Sequence, residues 1–185
     1  MKILILFILS FAINQSTAFA TETNDVYIAM KRMEAATQSG ISYKDFGKEM
    51  IDLQLAVNLF NESKSSGNNP SFTEQINRAF KYYKLSDSFW KYYITNGYKS
   101  SPGFIMKVSE PAARELITLF PDESKSSEDG GFYFKEKNQI GSYRYVDNKS
   151  ATSYLWREAI KTLAAAKEAM DSAEKPNPVK KNKKK

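Results

Sequence analysis

The sequence predicts an all-α protein: an up-and-down helical bundle of about four main helices, with one short extra helix and either a small β-hairpin or a loop insertion at about residues 122–150. Two observations support this fold class. Apolar residues recur every three or four positions through four long segments, which is the spacing of one helix face. Short stretches rich in Ser, Gly, Asn or Pro join the first three segments, as in the loops between neighbouring helices of a bundle.

The first two segments, A at about residues 24–38 and B from Ser42 onward, are predicted to form neighbouring helices. The apolar face of A contains Val26, Met30, Met33 and Thr37. Ser42 and Asp45 have the spacing of a capping box, which places the start of B. The stripe of B contains Phe46, Met50, Leu53, Val57 and Phe60. Leu55 and Leu59 are expected to widen that stripe, so that B would be buried over much of its surface.

Segment C is the third long predicted helix, and it follows a polar loop at residues 61–70 that we expect to be exposed. Ser71 and Glu74 have capping-box spacing at its start, and Gly97 ends it. Its stripe contains Ile76, Phe80, Tyr83, Asp87, Trp90 and Ile94. The spacing therefore predicts a helix of about seven turns.

The chain between segments C and E holds the short extra helix and the insertion. Segment D is predicted to be capped by Ser109, to have Pro111 in its first turn and to stop at Pro121. Aromatic residues at 132–134 and 143–146 flank a turn-like stretch. This pattern indicates a small hairpin or an ordered loop, which would have to pack on the helices because isolated hairpins are marginally stable.

Segment E, at about residues 152–173, is the fourth long predicted helix. Its stripe contains Trp156, Ala159, Leu163, Ala166 and Met170. The alanines favour helix and allow a neighbouring helix to approach closely. The regular spacing is also compatible with a coiled coil between chains, but none of the runs is sustained and charged enough at its flanks to favour that alternative.

The first twenty residues have the layout of a secretory signal peptide. A basic start, Met1-Lys2, precedes an apolar run at residues 3–13, and Ala18-Phe19-Ala20 stands before Thr21. The apolar run is only about half as long as a membrane-spanning helix needs to be. We therefore predict that the protein is exported, either to the periplasm or by secretion, and is soluble after cleavage of residues 1–20.

The predicted helical-bundle domain, residues 21–174, and the predicted disordered tail, residues 175–185, differ in charge. Of the 27 Lys and Arg residues, one precedes the cleavage site and six lie in the tail, so that 20 remain in the domain beside all 21 Asp and Glu residues. The net charge of +6 therefore gives no reason to expect sequence-specific nucleic-acid binding. The tail would attach weakly to an anionic envelope surface, either lipid headgroups or lipopolysaccharide, unless it only aids solubility. The lysines of its final run are Lys180, Lys181, Lys183, Lys184 and Lys185.

The chain has no cysteine and no histidine. Ser–His and Cys–His nucleophile pairs, Cys/His zinc sites and haem with a His or Cys ligand are therefore excluded. Carboxylate, Lys, Tyr or Ser chemistry and oxygen-ligated Ca²⁺ or Mg²⁺ remain available. We predict no catalytic residue, no metal ligand and no cofactor, and this composition favours a non-enzymatic role.

The aromatic density of segment C suggests a ligand groove between segments C and E. The candidate groove residues are Tyr83, Asp87, Trp90 and Trp156. Rings at helical spacing could equally form an ordinary core. A carboxylate in such a stripe, Asp87, would need a partner or would have a raised pKa. Elsewhere, Asn148-Lys149-Ser150 matches an N-glycosylation acceptor, which matters only in a eukaryotic secretory route.

Three functions are compatible with this sequence. The first is a non-enzymatic, exported protein that binds or scaffolds in the cell envelope, with the cationic tail attached to an anionic surface. The second is a small-ligand carrier that uses the aromatic groove. The third is a carboxylate-based hydrolase, for which the candidate acid pairs are Asp45/Glu49, Glu49/Asp52, Asp122/Glu123 and Glu128/Asp129. The sequence identifies no protein partner, and it contains no P-loop, dinucleotide fingerprint or nucleophile elbow.

Overall fold

The computed structural model describes residues 22–96, 105–121, 133–138 and 141–174. The described elements are, in order, α1 (residues 22–39), α2 (Tyr43–Glu62), α3 (Ser65–Asn68), α4 (Pro70–Asn96), β1 (Ile105–Lys107), α5 (Pro111–Leu119), β2 (Tyr133–Asn138), β3 (Gly141–Asp147) and α6 (Asn148–Glu174). The predicted fold class is confirmed, with α1, α2, α4 and α6 as the main helices and α5 as the short extra one. Among the described residues, no helix is both long enough and apolar enough to cross a membrane. The predicted signal peptide and the tail lysines lie outside the described ranges.

The helix α2 shows how one stripe of the sequence forms the core. All five residues of the predicted stripe are buried, from Phe46 to Phe60. Leu55 and Leu59 were expected to widen this stripe, and that prediction is wrong because both are 59% exposed. Leu55 lies two residues after the buried Leu53, about 200° around the helix, so its side chain points away from the core. The buried face of α2 is therefore a single narrow stripe.

Hydrogen bonds from backbone N–H groups of the first turn to a preceding side-chain oxygen mark the starts of α2 and α4. The Ser42 hydroxyl accepts from the Asp45 backbone N–H (3.2 Å), so the predicted start of α2 is confirmed. The capping box predicted from Ser71 is wrong: α4 begins at Pro70, and the side-chain oxygen of Asn69 accepts from the Phe72 N–H (3.1 Å). Asn is as good an N-cap residue as Ser, and Pro suits the first turn that follows it. Likewise, Glu110 rather than Ser109 precedes α5.

The polar loop at residues 61–70 was expected to be exposed, and this is wrong in part. It contains the short helix α3, whose Ser65 is buried and donates its hydroxyl proton to the Glu22 carboxylate of α1. Because Ser65 contacts the first turn of α1, the α2–α4 connection closes one end of the bundle.

The β2–β3 hairpin of the insertion and β1, which precedes α5 in the chain, form a three-stranded antiparallel sheet in the order β1-β3-β2. The β2–β3 hairpin matches the prediction, whereas β1 was not predicted, since three residues show no clear alternation. Met106 pairs with Val146 in the β1–β3 register, and both side chains are buried in the main core. The sheet is therefore packed on the helices, as a small hairpin requires for stability.

The strand β3 passes directly into α6, which begins four residues earlier than predicted. The Asp147 carboxylate, at the end of β3, accepts from the Ser150 N–H (2.6 Å) and caps this helix. α6 then packs extensively on α4. Its buried residues include three that fall on the predicted stripe: Ala159, Leu163 and Ala166. The small side chains allow the two backbones to approach closely.

Candidate functional site: an aromatic pocket at the end of the bundle

A cavity of about 390 Å³ lies at the end of the bundle where the α1–α2 connection, the last turns of α4 and the first turns of α6 meet. We call it the end pocket. Its lining residues are Ile41, Trp90, Tyr93, Asn148, Lys149, Thr152, Ser153 and Trp156. Most of the wall is apolar. A volume and a lining of this kind are typical of sites for small organic molecules.

Helical geometry brings the lining residues together. On α6, Asn148, Thr152 and Trp156 are four residues apart, so they lie one above another on one face. On α4, Trp90 and Tyr93 are three residues apart and occupy adjoining positions on the opposing face. Because α4 and α6 are antiparallel neighbours, the end of one meets the start of the other at this pocket.

The inner side of the pocket is a cluster of aromatic rings. The Trp90 and Trp156 ring centroids are 5.3 Å apart at an angle of 61°. Phe46 of α2 lies behind both, 5.3 Å from Trp90 and 5.7 Å from Trp156, and Tyr43 lies 5.5 Å from Trp90. Tilted contacts at these distances are favourable for aromatic rings. The cluster therefore joins three helices and presents two indole rings to the cavity.

The Trp156 indole is fixed by a hydrogen-bond chain inside the bundle. Its Nε1–H donates to the Ser86 hydroxyl (2.9 Å), which donates in turn to the Tyr83 carbonyl (2.7 Å). Ser86 is fully buried on α4. Since the polar atom of the indole has a partner, the ring keeps one orientation without contacting water there. This surface of the end pocket is preorganised before any ligand arrives.

The polar part of the pocket is at the N-terminus of α6. Asn148 is only 1% exposed, and within the described part of the chain neither its side-chain oxygen nor its nitrogen has a hydrogen-bond partner. Lys149 and Ser153 are exposed at the edge, and Thr152 is buried between them and the rings. The buried Asn148 side chain is not accessible as a glycosylation acceptor in the folded chain.

The structure separates the four residues predicted to form a groove. Trp90 and Trp156 meet in the end pocket, but Tyr83 and Asp87 do not line it. Tyr83 lies in the core and faces α1, where burial chiefly, with some contribution from the Glu34 carboxylate, raises its pKa. Burial also raises the pKa of the half-buried Asp87, against the opposing charge of Lys91. Those two residues therefore belong to the interior of the bundle and its edge rather than to the cavity.

The sequence interpretation missed Asn148, Thr152 and Ile41 as site residues. Asn148 precedes the predicted start of segment E, and Thr152 stands at that start. Ile41 lies in the short connection between segments A and B. The one available signal was the four-residue spacing that leads back from Trp156 through Thr152 to Asn148.

Two of the four acid pairs considered for hydrolysis lie on the surface of α2, and the other two, Asp122/Glu123 and Glu128/Asp129, lie outside the described residues. Glu49 and Asp52 both pair with Arg32 of α1 (3.1 and 3.4 Å), and Asp45 lies 3.8 Å from Lys48. No acidic residue is among those that line the end pocket. Across the described ranges there is also no group of three or more acidic side chains placed to hold a metal ion.

A second cavity, of about 440 Å³, lies between α1 and α2 and does contain acidic residues, namely Glu22, Asp25 and Asp52. Glu22 accepts the hydrogen bond from Ser65, and Asp52 pairs with Arg32. Two of its three carboxylates are therefore engaged in interactions within the bundle, and no aromatic stack like that of the end pocket lines it. The end pocket is the stronger candidate site.

Comparisons of this chain with protein-family models, with curated proteins and with solved structures found no match.

Proposed function

We propose that this protein is a non-enzymatic binding protein that takes up a small organic molecule in the end pocket. The observation that carries the proposal is the cavity of about 390 Å³ whose inner side is formed by two indole rings 5.3 Å apart. Such rings offer a large rigid contact surface at a low cost in conformational entropy. The Ser86 hydrogen bond holds one of them in place, so little ordering is needed when a ligand binds.

The carrier role is better supported than the hydrolase alternative. Hydrolysis by carboxylates needs two acids that face each other across a cleft, whereas the lining of the end pocket contains none. The candidate acids of α2 pair with Arg32 and Lys48 on the outer surface. A binding role needs only the shape and the apolar wall that the cavity has.

The fluorescence of the tryptophans can be used to test this proposal. It contains two tryptophans, and both line the end pocket. We therefore expect the neutral apolar dye N-phenyl-1-naphthylamine to bind saturably, to gain fluorescence and to quench the tryptophan emission by energy transfer. Titration of the full chain with this dye, with excitation of the tryptophans, measures both effects at one site.

A matched pair of variants on α6 locates the dye. Ser153 is an exposed lining residue, and Ser153→Phe should fill the cavity and weaken dye binding by at least about tenfold. Ser172 is exposed near the other end of the same helix, and Ser172→Phe should leave binding unchanged. Equal affinity of the wild type and both variants would show that the dye binds elsewhere and would overturn the proposal.

We also propose that the protein is exported and attaches weakly to the cell envelope. The layout of residues 1–20 supports cleavage before Thr21, and the lysines of residues 175–185 support weak attachment to an anionic surface. N-terminal sequencing of the released protein should find a start at Thr21 or within a few residues of it. Recovery of an intact Met1 terminus in the membrane fraction would contradict cleavage.

A further inference from the structure

The Asn148 side chain is a buried neutral amide with unused hydrogen-bonding capacity. It is 1% exposed, and neither its Nδ2 nor its Oδ1 has a partner among the described residues. Buried amides are almost always hydrogen-bonded, because an unpaired donor or acceptor loses its interaction with water and gains nothing in return. This amide belongs to a residue that lines the end pocket. A molecule in the pocket is therefore a natural partner for it.

The charges around Asn148 indicate which chemistry fits. The N-terminus of α6 favours an anion, but the Asp147 carboxylate already accepts from the Ser150 N–H there (2.6 Å). An anionic ligand at Asn148 would bind next in sequence to the negatively charged Asp147, and the exposed Lys149 is the one cation in the lining. What remains unmatched is neutral: an NH₂ donor group and a carbonyl acceptor, side by side. The complement of this pair is another amide.

The two tryptophans form the surface against which the apolar part of a ligand would pack. Asn148 and Trp156 lie two turns apart on one face of α6, about 12 Å along the helix axis. The Trp90 ring completes the wall at 5.3 Å from Trp156. A molecule that carries an amide beside a ring can therefore present the amide to Asn148 and the flat or apolar face of the ring to the indoles.

Resting on the proposed function, we propose that the end pocket selects neutral molecules that present an amide beside a ring, with the amide bound by Asn148 and the ring against Trp90 and Trp156. A side-chain rotation of Asn148, of the kind common on binding, would turn its amide toward the ligand. Acetamido sugars and lactam heterocycles share this chemistry.

Competition against bound N-phenyl-1-naphthylamine tests the selectivity on the full chain. The probes are benzamide, benzoate and toluene, which share one ring and differ in the group attached to it. Benzamide should displace the dye at concentrations about tenfold lower than the other two, as two neutral hydrogen bonds allow. N-acetylglucosamine and uracil, used as further competitors, distinguish the sugar source from the heterocycle source. Equal potency of benzamide and toluene would overturn the proposal.

Two substitutions assign the selectivity to Asn148. Asn148→Leu should remove the advantage of benzamide while toluene competes as before, and Asn58→Leu, at an exposed position of α2, should leave the advantage intact. If Asn148→Leu does not fold, Asn148→Asp is the second variant that tests the role of this side chain. With a carboxylate in place of the amide, the cation benzamidine should compete better than benzamide. Retention of the benzamide advantage in either folded variant would refute the role of Asn148.

The proposed function and this inference can fail separately. Absence of dye binding at the tryptophans, or dye binding that Ser153→Phe leaves unchanged, refutes the pocket as a binding site. Dye binding at the pocket without a preference for benzamide leaves the binding function standing and refutes only the amide selectivity.

Discussion

Ser86 connects the two helices that hold the end pocket. Its hydroxyl is fully buried, accepts from the Trp156 indole and donates to the Tyr83 carbonyl. For packing alone, alanine would fit a buried position of this size on α4, as it does at Ala79. The hydroxyl instead satisfies the polar atom of a large ring, so one small side chain sets the orientation of the pocket wall.

Removal of this hydroxyl should affect both stability and the tryptophan signal. Ser86→Ala leaves the buried indole N–H unpaired, which should lower the free energy of unfolding by about 1–3 kcal/mol. Denaturant unfolding followed by tryptophan emission measures the loss, and the native emission spectrum should also shift. Ser88→Ala is the control, since Ser88 lies two residues further along α4 and is exposed. A Ser86→Ala variant as stable as this control would contradict the structural role of the hydroxyl.

Asp87 gives the molecule a pH dependence of known sign. Burial raises its pKa in the folded state above the ordinary value of 3.8, more than Lys91 lowers it. The folded state therefore binds this proton more tightly than the unfolded state, and stability falls as the pH rises from that ordinary value through the folded-state pKa. Asp87→Asn should be more stable than the wild type at pH 7, and the difference should shrink toward acid pH.

Thermal melts of the two forms across this pH range check the direction. Asp25→Asn, at an exposed position of α1, is the matched control for the loss of one carboxylate. A wild type that is more stable than Asp87→Asn at neutral pH would mean that the carboxylate is favourably paired rather than desolvated.

At the scale of single elements, α2 carries leucines on two opposite faces. Leu53 is 1% exposed and points inward, whereas Leu55 and Leu59 are exposed on the outer side. Composition alone does not distinguish these leucines, but their angular positions on the helix do. The stability of the bundle should therefore depend on the position of a leucine on α2 and not on the number of leucines.

Two truncations on different helices test this. Leu53→Ala on α2 and Leu163→Ala on α6 should each lower the free energy of unfolding by about 2–5 kcal/mol, since each leaves a cavity in the core. Leu59→Ala should change it by no more than about 0.5 kcal/mol, as is usual at exposed positions. Denaturant midpoints of the three variants provide the comparison, and similar losses at Leu53 and Leu59 would show that the buried face is assigned wrongly.

For single elements, the sequence predicted a helix start correctly where only one candidate capping box was present. The start of α2 followed from Ser42 and Asp45 because no other cap residue stands nearby. The start of α4 did not, since Asn69 and Ser71 are both good caps and the sequence alone does not rank them. The strand β1 is too short to show a period. Its place in the sheet depends on Met106 meeting Val146, forty residues later in the chain.

The candidate site was predicted only in part, and for a related reason. Helical spacing identified Trp90 and Trp156, but the cavity between them requires three elements to converge. Tyr83 shares its stripe with Trp90, yet it turns toward α1 because a stripe of this length passes along more than one neighbouring helix. Periodicity identifies a buried face, whereas a pocket depends on how two such faces diverge at their ends.

At the scale of the whole molecule, charge is unevenly distributed along the sequence. Residues 21–174 are nearly neutral, and residues 175–185 hold six lysines. A nearly neutral body has little electrostatic attraction for an anionic surface, whereas each lysine close to such a surface contributes about 1 kcal/mol at low salt. Any attachment to anionic lipid should therefore depend on the last eleven residues of this sequence and should weaken as salt is added.

Truncation after Glu174 separates this attachment from folding. The full chain should sediment weakly with anionic vesicles at low salt and less at higher salt, and the truncated form should not sediment. Thermal melts of the two forms should coincide, because truncation after Glu174 removes no residue of the described helices. Equal sedimentation of both forms at both salt concentrations would mean that the tail aids solubility only.

The direct passage of β3 into α6 has a mechanical consequence. No residue separates the last residue of the strand, Asp147, from the first of the helix, Asn148, so the hairpin and the pocket wall share one continuous backbone. Without a flexible joint, a load on either part is transmitted to the other. A ligand that immobilises the start of α6 should therefore slow the exchange of the β1–β3 ladder amides with deuterated solvent, although none of those amides touches the pocket.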